Sequence, residues 1–175
     1  MVAKETKLST NPNPPIDKHE SADSLQSKMR IEGTLEILHT DKNGVIIQNK
    51  IVPNLVVNSG LAYVVSRMKD TSKNVMSHMA CGSSSTSPAS GDTDLGSVLG
   101  SRKSLTSTTI TGSNNEKVQY VCSFAGGEAT GAIVEAGLFN ASSGGDMLCR
   151  TTFAVINKGS TDAISLTWTL TLSAS

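Results

Sequence analysis

The chain has 175 residues, 37% apolar and only 3% aromatic, with 15 basic and 15 acidic side chains and a formal net charge of zero. That length suits one domain with a single core, and the neutral balance excludes a global field that would gather nucleic acid or an anionic membrane. No apolar run is long enough to cross a bilayer, and no charged start leads into an apolar signal core, which points to synthesis and use, or assembly, in the cytoplasm.

Residues 1–30, "MVAKETKLSTNPNPPIDKHESADSLQSKMR", mix charges of both signs, hold three of the five prolines and carry few large apolar groups. Such a segment cannot bury enough surface to offset its ordering entropy. It predicts an extended arm, polyproline-like around Pro12, Pro14 and Pro15, with a helical turn at "DSLQSKM" and a separate domain over residues 31–175. Val2, Leu8, Ile16 and Leu25 are spaced like separate anchors along a groove. With the three prolines, they are the arm's candidate partner-binding residues.

From residue 31 the period becomes two. In "IEGTLEIL" Ile31, Gly33, Leu35 and Ile37 share one face, and "TDKNG" is a turn that closes a hairpin onto "VIIQNKIV". "NLVVNSGLAYVVSRM" changes period: Leu61, Val64, Val65 and Met68 recur at helical spacing, with Asn58 or Ser59 as N-cap. This predicts a short helix over 60–68 packed on the sheet. A strand "VMSHMACG" leads into a Ser/Gly/Asp/Thr-rich loop over about 82–97, which reads as a solvated loop, followed by "LGSRKSLTSTTI". Further strands are expected at "KVQYVCSF", "GAIVEAGLFN", "DMLCRTTFAV" and "AISLTWTLTL". The last alternates without a break: Ile164, Leu166, Trp168, Leu170 and Leu172 form a core face, and Ser165, Thr167, Thr169 and Thr171 form a ladder facing water or a neighbour. Seven or eight short strands separated by turns predict a mainly β, antiparallel β-sandwich with one short helix.

Cys81, Cys122 and Cys149 are odd in number, lack a CxxC pair and lie in strand-like runs. They read as small buried hydrophobes rather than disulfide or zinc ligands. His19, His39 and His78 make no metal spacing, and no GxSxG elbow, P-loop or GxGxxG is present. Asp92 and Asp94 lack the acid-rich pattern of a calcium loop. "SRK" at 101–103 is too small for a basic groove. No cofactor or metal is expected.

The one suggestive acid is Glu135, inside the apolar "IVEAGLFN". A glycosidase pairing would need Asp146 or Glu128 at working distance. The simpler expectation is a buried structural acid, since a carboxylate among core residues must be paired. Its partner is Arg150 or Arg102, pinning a strand register or a subunit contact.

Three stretches, "NLVVNSGLAYVVSRM", "MSHMACGSSSTSPASGDTDLG" and "AIVEAGLFNASSGGDMLCRTTFAVINKG", followed by "LTWTLTL", resemble in order and loop character a group of small bacteriophage virion proteins. The same order is similar to the particle-attaching domain of phage tail-collar fibres. The resemblance covers residues 54–172 and departs from the family at Cys81, where a small apolar residue is usual, and before Arg102, where no acid stands. It implies a non-enzymatic virion protein. The chain ends within three residues of its last core strand, without shaft or tip, so an arm and a single domain suit a capsid decoration (cement) protein bound to the major capsid protein. A tail or baseplate adaptor is the alternative. A carbohydrate-binding sandwich is a third reading, weakened because Trp168 belongs to the core pattern; an enzyme comes last. A homo-oligomer is expected, with a trimer suiting three-fold sites.

Overall fold

The structure, a computed structural model, describes residues 28–69 and 73–174. The expected arm anchors Val2, Leu8, Pro12, Pro14, Pro15, Ile16 and Leu25, with the turn at "DSLQSKM" up to residue 27, lie outside the described residues. The domain starts slightly earlier than its sequence boundary at 31. Strand β1 (Met29–Thr40) already pairs Met29 with Ala174 and Arg30 with Ser173.

Two antiparallel five-stranded sheets form the sandwich. The front sheet has the order β2 (Ile46–Pro53), β1, β10 (Ala163–Ala174), β7 (Lys117–Phe124) and β6 (Ser107–Thr111). The back sheet has the order β3 (Leu55–Val56), β9 (Met147–Lys158), β8 (Gly131–Phe139), β4 (His78–Gly82) and β5 (Lys103–Ser104). "LGSRKSLTSTTI" therefore divides between the two sheets, as β5 and β6.

Period-two alternation builds the front sheet as expected. Leu35 lies opposite Trp168 and Trp168 opposite Tyr120, while Ile37, Leu166 and Cys122 form the next row. All six face the back sheet and are buried. The Asp41 carboxylate accepts from the amides of Asn43 and Val45, and Gly44 takes φ +80°, which closes the β1–β2 turn. Trp168 Nε1 donates to Asn54 Oδ1 at 2.8 Å, joining the central strand to the crossover between β2 and β3.

The helix α1 (Asn58–Met68) differs from its sequence reading in cap and in face. Its N-cap is Val57, with no side-chain cap. Ser59 Oγ instead donates to the carbonyl of Met147, and the Asn58 amide donates to Ser90 O. Gly60 and Tyr63 are the buried positions, whereas Leu61, Val65 and Met68 are exposed. Close approach decides the orientation: a Cβ on Gly60 would stand 2.1 Å from Leu148 O. The helix thus seats its glycine on the β9 backbone and turns most of its expected apolar stripe outward.

Candidate functional site

The back sheet is covered on both faces over residues 79–82, 135–139 and 147–151. Its inner face meets the front sheet through Met79, Cys81, Ile133, Ala136 and Leu138. Its outer face carries a second small core of Val57, Ala80, Phe139 and Met147, closed by Leu95 from the loop after β4. Glu135 sits on that outer face, fully buried. A bulge in the β8–β9 pairing between Ile133 and Glu135 restores the inward direction at Ala136.

Arg150 is the partner of Glu135. Its Nε and Nη2 reach Glu135 Oε2 at 2.9 and 2.7 Å. The carboxylate also accepts three backbone amides from the loop: Ser84 at 3.1 Å and Ser97 at 2.8 Å on Oε1, and Gly96 at 3.0 Å on Oε2. Five donors fill its lone-pair positions. Arg150 is nearly as buried, and continues to Asp92 Oδ2 at 2.8 Å and Thr86 O at 3.0 Å. The Ala89 amide on Asp92 and, after it, the Arg150 guanidinium hold that carboxyl below the usual range, against a partial opposing effect of burial. Gly82 stands opposite Glu135, where a Cβ would lie 2.4 Å from Oε1; only glycine leaves room for this cluster.

Arg102, the other candidate partner, belongs to a neighbouring cluster. Its guanidinium lies 3.6 Å from the Phe139 ring centroid, pairs with Asp94 at 3.0 Å, and donates to Ala141 O and Gly144 O at 3.1 and 2.6 Å. Two arginines therefore hold successive acids of one loop, Asp92 and Asp94. The 82–97 segment keeps most of its side chains exposed, as expected of a solvated loop, and is clamped to the sheet through Leu95, its backbone amides and these two aspartates. The hydroxyl-rich composition hid this, because the loop is held through its backbone amides and its two aspartates. The signal that could have revealed it is the two acids set against Arg150, in an apolar strand run, and Arg102, just before β5.

The acids weighed for a catalytic pair are engaged elsewhere. Asp146 bonds Lys73 and Asn140, and Glu128 bonds Lys103 and the Ala125 amide. His78 lies between two hydroxyls, Ser77 Oγ at 2.8 Å and Ser104 Oγ at 3.3 Å. This pair of contacts supplies no carboxylate to orient the ring, as a Ser-His-acid triad requires. Among the described residues no three His, Cys, Asp or Glu side chains converge as metal ligands. Burial raises all three thiols: Cys122 is pushed up to about 12, and Cys81 and Cys149 well above their ordinary value. A cleft of about 180 Å³ lined by Ser101, Lys103, Phe124 and Glu128 is spanned by the Lys103–Glu128 pair.

Comparison with protein-family models, with curated proteins and with solved structures gives no match.

Proposed function

We propose that this protein is a non-enzymatic structural component of a bacteriophage virion, a capsid decoration protein whose β-domain sits on the major capsid lattice. The observation that carries the reading is the use made of Glu135. An acid placed where a catalytic carboxylate would be sought has all its acceptor capacity spent on Arg150 and three loop amides. Such an arrangement favours a rigid outer surface over chemistry. The motif order of residues 54–172 adds its resemblance to small virion proteins.

Copy number tests the proposal directly. Purified particles should contain this chain at a stoichiometry matching the capsid lattice. A single ring of copies would place it at the tail instead, as the adaptor reading expects. Truncation of residues 1–27 should leave a folded domain that leaves the particle more readily, since an arm adds contacts to the docking of the domain. Measured hydrolytic activity that Glu135→Gln abolishes, at an unchanged melting temperature, would refute the structural role of the acid.

A further inference from the structure

The turn between β1 and β2 places a side-chain amide beside a peptide nitrogen that no Cβ shields. Asn43–Gly44 is the sole Asn–Gly pair among the eleven asparagines of the chain. Asn11 and Asn13 precede prolines, which have no N–H, and every remaining asparagine precedes a residue whose Cβ crowds the approach. Asn43 and Gly44 are both exposed, and a Cβ at Gly44 would meet nothing within 4 Å. Asn43 Nδ2 donates to Asp41 Oδ2 over a long 3.4 Å. Asn140 is the opposite case: it is buried, and both ends of its amide are bonded to Asp146.

We propose that Asn43 is a site of spontaneous modification, converting to aspartate and isoaspartate through a cyclic imide, and that Asp41 sets the rate by holding the turn closed. The Gly44 nitrogen attacks Asn43 Cγ. A new N–Cγ bond forms, the Cγ–Nδ2 bond breaks, and the proton shed by Gly44 leaves with Nδ2 as ammonia. Water then opens either C–N bond of the ring. One product is aspartate on an unchanged main chain; in the other, isoaspartate, the main chain runs through Cβ and gains one carbon. In the closed turn the Gly44 amide donates to Asp41 O at 3.0 Å, while Asp41 Oδ1 accepts from the Asn43 and Val45 amides, each at 2.8 Å. The attacking nitrogen is thus committed to Asp41, and the reaction waits for these bonds to open. Conversion puts a second carboxylate beside Asp41, and isoaspartate lengthens a turn that these bonds close at a fixed length. β2 has β1 as its one strand neighbour, so the change loosens that edge of the front sheet. The chemistry belongs to the domain itself and does not rest on the role proposed above.

Storage of the full chain at mildly alkaline pH, followed by digestion and weighing of its peptides, provides the test. Asn43 should convert at least about tenfold faster than any other asparagine, since it alone is followed by a residue without a Cβ. Its isoaspartate should accept a methyl group from an isoaspartyl methyltransferase. Asn43→Ser should abolish both signals and leave the circular dichroism spectrum unchanged. Asp41→Ala should speed conversion about three- to tenfold, the effect of losing one hydrogen bond. In converted protein the Val45 amide should exchange about threefold faster or more, with exchange in β8 unchanged. An Asn43 that stays intact, or that converts no faster than the other asparagines, would overturn the site. Equal rates in Asp41→Ala and the parent would overturn the role given to Asp41, and unchanged exchange at Val45 would overturn the loosening.

Discussion

The two sheets of this sandwich are held by different means. The front sheet has one buried face, filled by alternating residues of β1, β10 and β7, while its other face presents half-buried hydroxyls such as Thr167 and Thr169. The back sheet is buried on both faces over residues 79–82, 135–139 and 147–151, where its second face is closed by a loop whose backbone converges on one carboxylate. An apolar row needs only a partner row, so sequence period specifies it. A loop laid over a sheet brings backbone amides out of water, and these need an acceptor. Glu135 is that acceptor, and Arg150 balances its charge.

The contrast can be broken most sharply at Arg150. Arg150→Met should destabilise the domain by about 3–5 kcal/mol, because it leaves a buried carboxylate without its counter-charge. Adding Glu135→Leu should not restore the loss, since three loop amides then lose their acceptor; a double variant melting like the parent would show the loop is held otherwise. In the front sheet, Trp168→Phe should cost about 1–2 kcal/mol through the lost bond to Asn54, with thermal unfolding remaining a single transition.

A smaller effect follows from pH. Asp92 is held below its ordinary range in the folded state, so it binds fewer protons folded than unfolded at intermediate pH. Its contribution is complete above the unfolded value of about 3.9 and is lost as pH falls through the lower folded value. Acid should therefore loosen the loop, read as faster exchange at Ser84 and Gly96 from about pH 4 downward. Asp92→Asn should already be looser at neutral pH and lack this acid limb. The smallest change is expected on the open front face, where Thr169→Val should shift stability by no more than about 0.5 kcal/mol.

These differences match what was legible in the sequence. β10 and β7 emerge with their bounds nearly right, and the core face of β1 is the one its alternation gives, because each buries a single face of a regular strand. The sandwich class follows from the same signal. That Glu135 needs a basic partner is legible, but two arginines are equally eligible, and the structure pairs it with Arg150. The choice depends on register: Arg150 stands on β9 opposite Gly137, two residues along β8 from Glu135, whereas Arg102 lies against the Phe139 ring. The helix was found, yet its inward face was misjudged. Hydrophobic spacing favoured Leu61, Val65 and Met68, whereas the close approach of Gly60 to Leu148 O sets the rotation. Helical periodicity records which residues share a face, and a backbone contact with a distant strand decides where that face points.

The three cysteines add a consequence of their own. All are free and buried, Cys122 on β7 in the front sheet, Cys81 on β4 and Cys149 on β9 in the back. Thiols sealed in this way react with an alkylating reagent only when their surroundings open. Single-cysteine versions of the protein would thus carry a clock in each sheet. Faster labelling at Cys81 or Cys149 than at Cys122 would mean that the ion-clamped half opens while the alternating half stays closed. Equal rates at all three would mean that the sandwich opens as one unit.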